Sequence, residues 1–370
     1  MIAVIADDIT GGAEIAGIGL RYGLSVELST RSDIPIPDVD LWVISTDSRS
    51  MNRDEASSVT AQTVRNLKKV GIDHIFKKTD SVLRGHVVAE LAAQLKEEGK
   101  KKVVLCPANP QSGRKIINGI YFIDGIPIHE TGFSNDPDFP VNTSNVREII
   151  GTDFFKESGI MIVDAGSEDD LNRAARLKDH ETILAGSAAF FTAYLESLKL
   201  IPLTKGTSVP DLKNALFVRG SAYNKSRDEV DKAAANGSKV VYLSPLIIGK
   251  PDYKKRLKEY SSELSTSLNR HEKTVLAIGN PVLQGEAAGR IKDMVAEVVS
   301  QVIHVTKIDE LVIEGGATAS AIFKKMNFTR FIPTYEFAAG VVKMKVNSLN
   351  EMYVTIKPGS YQFPEQVWII

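Results

Sequence analysis

The sequence predicts an α/β protein built of two three-layer domains with mainly parallel sheets. Three observations carry that expectation. Short apolar runs alternate with segments of helical periodicity, the signature of βα units. Each run hands over to polar residues at its carboxyl end, where open parallel sheets bind ligands. The pattern then restarts after Ile201 to Pro210, a stretch rich in Pro, Gly and Thr that reads as a linker. The expected domains are residues 1–210 and 211–370.

Composition narrows the function. The chain has 370 residues, enough for two domains, and a formal net charge of −1. That balance gives no electrostatic footprint for nucleic acid or a membrane surface. No apolar run approaches the roughly 18–20 residues of a membrane span. Met1 to Asp8 lacks the basic region of a signal peptide, so the cytoplasm is the expected location. The sole cysteine, Cys106, excludes an intramolecular disulfide and follows Val103-Val104-Leu105 as a small core residue.

The first element is a strand, Ile2 to Ala6, followed by Asp7-Asp8-Ile9-Thr10-Gly11-Gly12 and a helix from Ala13 to Arg21. The glycines read as a tight turn and Thr10 as a helix cap. Adjacent aspartates disfavour a bare phosphate here and favour a hydroxyl to be deprotonated, or a metal. Ser25–Leu28 and Leu41–Ser45 read as strands, the second ending in Thr46-Asp47-Ser48-Arg49. Arg49 is suited to a bidentate contact with a carboxylate. Asp54 to Lys69 has helical spacing.

The central stretch is Lys77-Lys78-Thr79-Asp80-Ser81-Val82-Leu83-Arg84-Gly85-His86, after a strand read over Ile72 to Phe76. Parallel strands are buried on both faces, so ionic groups belong at their ends. Cations, a carboxylate and a hydroxyl there suit a small, anionic, hydroxylated ligand. Val103–Cys106 is a further strand, and Tyr121–Ile128 a hairpin about Asp124-Gly125. The six histidines show no metal-ligand spacing, so His129 reads as a positioning or structural residue. Strands at Met161–Asp164 and Thr182–Ala185 complete the first domain.

The second domain has strands at Ala215–Val218, Val240–Leu243, Thr274–Ile278 and Leu311–Ile313, with a charged helix over Lys250–His271. Glu314-Gly315-Gly316-Ala317-Thr318 joins a strand to a helix N-terminus, and its backbone N–H groups can cradle phosphate. Gly316 is expected where the backbone needs φ > 0. It is neither a Walker A sequence nor the spaced dinucleotide fingerprint. Val341–Val346 and Tyr353–Ile356 read as antiparallel strands leading to Lys357-Pro358-Gly359-Ser360.

Taken together, the chain resembles the four-carbon acid sugar kinase family. The matching stretches are Ala6–Gly11, Thr46–Arg49, Lys77–Gly85, Cys106–Pro110, Gly113-Arg114, Asp136-Pro137, Pro140-Val141, Arg219–Ser221 and Glu314–Thr318. The resemblance implies a sugar-acid-binding first domain, an ATP-binding second domain and an active site in the interdomain cleft. It implies phosphorylation of the terminal hydroxyl of threonate, erythronate or 3-oxo-tetronate, with ATP and Mg²⁺. By position, Asp8, Arg49, Lys78, Thr79, Asp80 and Ser81 would bind the sugar acid. Ser221, Gly315, Gly316, Ala317, Thr318 and Gly359 would bind ATP. No protein metal ligand is implied.

Two stretches depart from the family. Gly359-Ser360-Tyr361-Gln362 stands where Gly-Gly-Phe-Gly is usual, and Ala317 replaces the acid of Gly-Gly-Glu-Thr. The sugar-acid carboxylate needs cations, for which Arg49 and Lys78 are candidates; Asp8 or Asp80 is the candidate base. The rival reading is a sugar-acid-binding sensor of the same fold that has lost catalysis. A nicotinamide-dependent dehydrogenase is disfavoured by the lack of Gly-x-Gly-x-x-Gly. The expected partners are the sugar acid and ATP, with neither nucleic acid nor membrane, and a homodimer is compatible with this reading.

Overall fold

A computed structural model describes residues 1–136, 139–151, 159–203, 208–212, 214–220, 224–270, 273–279, 286–347, 352–359 and 361–367. The chain divides into two compact units, Met1–Thr204 and Lys205–Ile370.

The first unit opens with β1 (Ile2–Ala6), α1 (Ile9–Arg21), β2 (Val26–Ser29), β3 (Leu41–Ser45), α2 (Arg53–Lys69), β4 (Ile75–Lys78), α3 (Val87–Glu98) and β5 (Lys102–Cys106). It continues through β6 (Arg114–Ile117), β7 (Ile120–Ile123), β8 (Ile126–Pro127), α4 (Val146–Ile150), β9 (Ile160–Ile162), α5 (Glu168–Ala175), β10 (Thr182–Gly186) and α6 (Ala188–Ser197). The main sheet runs β2-β3-β1-β4-β10-β5-β9, and every described pairing in it is parallel. β6, β7 and β8 form a separate antiparallel sheet, which contains the expected hairpin.

Period-2 alternation decides what each face carries. Ala3, Ile5, Trp42, Ile44 and Ile75 pack against Val64 and Leu67 of α2. On the opposite face Phe76 meets Phe190, Phe191 and Tyr194 of α6, the Phe191 ring lying edge-on at 5.1 Å. Helix α1 lies close because it is glycine-rich: a Cβ on Gly19 would come within 2.6 Å of Leu41 and 2.7 Å of Val26. The Cys106 side chain is fully buried, and burial pushes its thiol up to about 12.

Two expectations shift here. Helix α1 starts at Ile9, not Ala13, so Gly11 and Gly12 lie inside it and Asp8 rather than Thr10 is the N-cap. Strand β4 spans Ile75–Lys78, so both lysines belong to the strand and alternate across the sheet. Lys77 points to Glu90 of α3, at 2.6 Å, and Lys78 to Glu14 of α1, at 3.5 Å. A parallel strand tolerates them because each meets a carboxylate.

The second unit contains β11 (Ala215–Arg219), α7 (Asn224–Ala235), β12 (Lys239–Leu243), α8 (Tyr253–Asn269), β13 (Thr274–Ile278), α9 (Glu286–Val305), β14 (Glu310–Glu314) and α10 (Gly316–Met326). It ends with β15 (Arg330–Ala338), β16 (Val341–Val346) and β17 (Tyr353–Lys357). Its order is β12-β13-β11-β14-β17-β16-β15, parallel through β17 and antiparallel beyond. Val230 of α7 packs with Val275 and Ala277 on one face, and Phe363 and Val367 from the carboxyl-terminal segment extend that cover over Ala215 and Val312. Helices α8, α9 and α10 pack together as the other layer. Among the described residues, no helix is long and apolar enough to cross a membrane.

Candidate active site

In the first unit β1 and β4 are neighbours, yet their following helices lie on opposite faces: α1 packs with α6, and α3 with α2. Such a reversal opens a crevice at the carboxyl ends of the strands. Asp8 follows β1, Arg49 follows β3, and Thr79, Asp80 and Ser81 follow β4.

Arg49 is the hub. Its Nε and Nη2 donate to the two oxygens of Asp7 at 2.8 and 3.0 Å, and its Nη1 to Asp8 Oδ2 at 2.9 Å. Asp80 Oδ1 lies 3.6 Å from Nη2. The Arg49 side chain is 17% exposed and its guanidinium is already ringed by carboxylates. Its immediate role is therefore to hold three aspartates together, and a substrate carboxylate would have to compete with them.

Asp8 caps α1 through Oδ1, which accepts from Gly11 N at 2.7 Å; its Oδ2 accepts from Thr10 at 2.6 Å and from Arg49. Burial alone would raise its pKa. Arg49, Thr10, Lys78 and the Gly11 amide outweigh burial and hold it below the ordinary carboxylate value. A Cβ built on Gly11 would lie 2.7 Å from Asp8 Oδ1 and 3.2 Å from Lys78 Nζ, so both atoms close tightly over that glycine, which no larger residue could replace without a shift. Lys78 Nζ also donates to Thr79 O at 3.2 Å.

Asp80 is more fully occupied. Oδ2 accepts from Arg84 N and Nε at 3.1 and 2.9 Å, and Oδ1 from Arg84 Nη2 at 2.9 Å. Burial opposes ionisation, but Arg49 and Arg84 hold the Asp80 carboxyl far below its usual range. Arg84 also reaches Asp136 at 3.2 Å and lies over the Phe133 ring. The Thr79 hydroxyl is buried with no hydrogen-bond partner among the described residues. The Ser81 hydroxyl accepts from Arg114, and Tyr121 donates to Ser81 O at 2.6 Å. His129 bonds Ser144 Oγ through Nδ1 at 2.6 Å, a local structural contact.

All six sequence-selected residues thus lie at the carboxyl ends of β1, β3 and β4, where Asp8, Arg49, Lys78 and Asp80 are brought together; the Thr79 and Ser81 hydroxyls bond none of the other five. Sequence reasoning left out Asp7, Arg84 and Arg114 as ligand-site residues. All three stood inside quoted stretches; what was not legible was that each would pair with a selected residue, Asp7 with Arg49, Arg84 with Asp80 and Arg114 with Ser81.

In the second unit the reversal falls between β11 and β14. Their last residues, Arg219 and Glu314, pair at 2.6 Å, and Lys357 at the end of β17 pairs with Glu314 at 2.7 Å. Arg219 also pairs with Glu229 at 2.6 Å. The Phe363 ring lies 4.8 Å from both cations. Three strand ends are thereby tied through one buried carboxylate.

Each tied strand runs into a candidate nucleotide turn. Gly315 has φ +97° and precedes α10, which has no side-chain cap. The left-handed position is Gly315, not Gly316, which opens the helix. Ala317 is exposed in the first turn and Thr318 is buried. A Cβ on Gly220 would overlap the Thr318 hydroxyl and lie 2.7 Å from its Cβ, so this glycine permits close approach of the two turns. Gly359 lies in the turn after β17, while Ser221 lies outside the described residues. Uncapped N–H groups and an adjacent glycine fit a phosphate chain. Among the described residues no cluster of three His, Cys, Asp or Glu is placed to hold a metal.

Two family models match. A sugar-binding N-terminal domain covers residues 2–156, and a nucleotide-binding C-terminal domain covers residues 216–361. The chain is 24% identical over 373 residues to a D-threonate kinase of Salmonella typhimurium, covering 86% of this chain and 85% of that protein. It is 23% identical over 406 residues to a 3-oxo-tetronate kinase of Actinobacillus succinogenes, covering 98% and 96%. A crystal structure from Salmonella typhimurium described as a putative tRNA synthase matches with a TM-score of 0.81 at 18% identity, covering 100% of this chain and 98% of that one. At that identity the likeness concerns the fold alone.

Proposed function

The chain belongs to the four-carbon acid sugar kinase family, and from that premise we propose that it transfers the terminal phosphoryl group of ATP to the terminal hydroxyl of threonate, erythronate or a 3-oxo-tetronate. The observation that carries this reading is the convergence of Asp8, Arg49, Lys78 and Asp80 at one strand-end crevice.

Phosphoryl transfer asks a protein mainly for positioning and charge stabilisation. Asp8 is the better acceptor for the substrate hydroxyl proton. Its Oδ1 holds one hydrogen bond and its side chain is 14% exposed, whereas Asp80 is 8% exposed with both oxygens engaged by arginine. Lys78, whose charge helps to hold Asp8 ionised, would offset charge on the transferring oxygens. Asp80 keeps Arg49 and Arg84 in position. On the nucleotide side the Gly315–Thr318 turn supplies backbone N–H groups to phosphate. Mg²⁺, entering with ATP, would neutralise phosphate charge without a dedicated protein cage.

A coupled ADP-release assay over the four-carbon acids and their 3-oxo forms tests the reading. ATP-dependent release with at least one acid is expected. Folded protein that bound a tetronate but released no ADP with any of them would instead be a sugar-acid-binding sensor.

A further inference from the structure

Resting on the sugar-acid reading, we propose that Arg114 is the anchor for the substrate carboxylate. The argument is a matching of charges within the crevice. Arg49 is engaged by Asp7, Asp8 and Asp80. Arg84 is engaged by Asp80 and Asp136. Lys77 is buried against Glu90, and Lys78 faces Glu14 and Asp8. Arg114 differs. Its Nη1 meets the neutral Ser81 hydroxyl, and it has no carboxylate partner among the described residues.

An anionic substrate gains most from a cation not already neutralised. A carboxylate arriving at Arg114 can take the guanidinium fork without displacing a protein carboxylate. At Arg49 or Arg84 it would have to break an existing buried pair, which is costly.

The side chain is also well presented. Arg114 is half-buried at the start of β6. Its backbone is fixed in both directions by Asn109, which donates to Arg114 O at 2.8 Å and accepts from Arg114 N at 3.0 Å. Ser81, its hydroxyl partner, directly follows Asp80, and Tyr121 holds the Ser81 carbonyl. A ligand with an acid at one end and a hydroxyl at the other then meets unlike groups: Arg114 beside Ser81, and Asp8 with Lys78 beside Gly11. This arrangement selects acids over the corresponding neutral alditols.

The test compares kcat/KM for D-threonate and D-erythronate with kcat/KM for threitol and erythritol, in the native protein, R114M and R114K. In R114M the acid-to-alditol ratio should fall about 10- to 100-fold, the loss expected for a charge-assisted contact, with the KM for ATP unchanged. R114K, which keeps charge but loses the fork, should give an intermediate ratio. A purely structural role would depress acid and alditol alike; an unchanged ratio therefore overturns the anchor. A native protein that did not prefer acids would overturn the sugar-acid reading and the anchor with it. If neither class turned over, the kinase reading would fail, and the calorimetric Kd ratio of threonate to threitol in the same variants would still decide the role of Arg114.

Discussion

At Asp80 both carboxylate oxygens face Arg84, while Asp8 Oδ1 accepts from the Gly11 amide alone and retains accepting capacity. D8N should therefore lower turnover by roughly 10²–10⁴-fold, the usual scale for a lost general base; it also removes a charge partner of Arg49, but the loss of stability should be smaller than in D80N because Arg49 keeps Asp7 bidentately. D80N should act differently. It leaves Arg49 and Arg84 facing a neutral amide, and breaking a buried pair costs on the order of 3–5 kcal/mol. Its melting temperature should drop, and its sugar-acid KM should rise more than its turnover falls. Equal effects of the two substitutions on turnover would sink this assignment. The candidates themselves were legible because acids and hydroxyls after an apolar run are rare in a buried strand. Their division of labour was not legible. It depends on Arg84 folding back four residues onto Asp80, and on Arg49 taking Asp7 bidentately across more than forty residues of chain, at a separation of 42.

Among elements, the glycine turn at β14 owes its place to Glu314 rather than to the glycines alone. One buried carboxylate receives Arg219 from β11 and Lys357 from β17. E314Q keeps the shape and removes the charge, leaving two buried cations 4.8 Å from the same Phe363 ring. The KM for ATP should rise by roughly 10-fold or more, the effect of one charge-assisted contact, while threonate binding by calorimetry is retained. An unchanged ATP KM would show that the turns hold their register without the tie. Most parallel strands were readable from apolar runs. β15 was not, because Pro333 interrupts it and its pairing with β16 shifts at Pro333/Tyr335 and again at Glu336/Ala338. Proline reads against a central strand, and the bulges break the alternation that would have revealed one. The boundary of β4 was misplaced for a related reason. Two lysines read as an exit from the sheet, but carboxylates on α1 and α3 allow both to stay within it.

For the whole molecule, we propose that the two binding functions divide along the chain near the linker, sugar acid in residues 1–210 and nucleotide in 211–370. Gly315 is the position to test. Its φ of +97° is a conformation that a β-branched residue resists. G315V should abolish measurable ATP binding while the Kd for threonate, taken without nucleotide, stays within about 3-fold, or roughly 0.65 kcal/mol. Parallel loss of both ligands in a variant that still melts cooperatively would refute the division. The two-domain α/β plan was legible because alternation of strand and helix is a property of composition along the chain. The close fit of Gly220 against Thr318 was not, since it joins segments nearly a hundred residues apart.

The burial of Cys106 gives the molecule an experimental convenience. Its thiol is enclosed and held protonated, and it is the sole cysteine of the chain. Maleimide chemistry requires an accessible thiolate, so the native protein should remain unlabelled under mild conditions. A cysteine introduced on an exposed helix face would then be the single reactive position. One fluorophore could be placed in either unit without first removing a native residue. Fluorescence titration of two such singly labelled proteins, one dye per unit, would report sugar-acid and nucleotide occupancy separately.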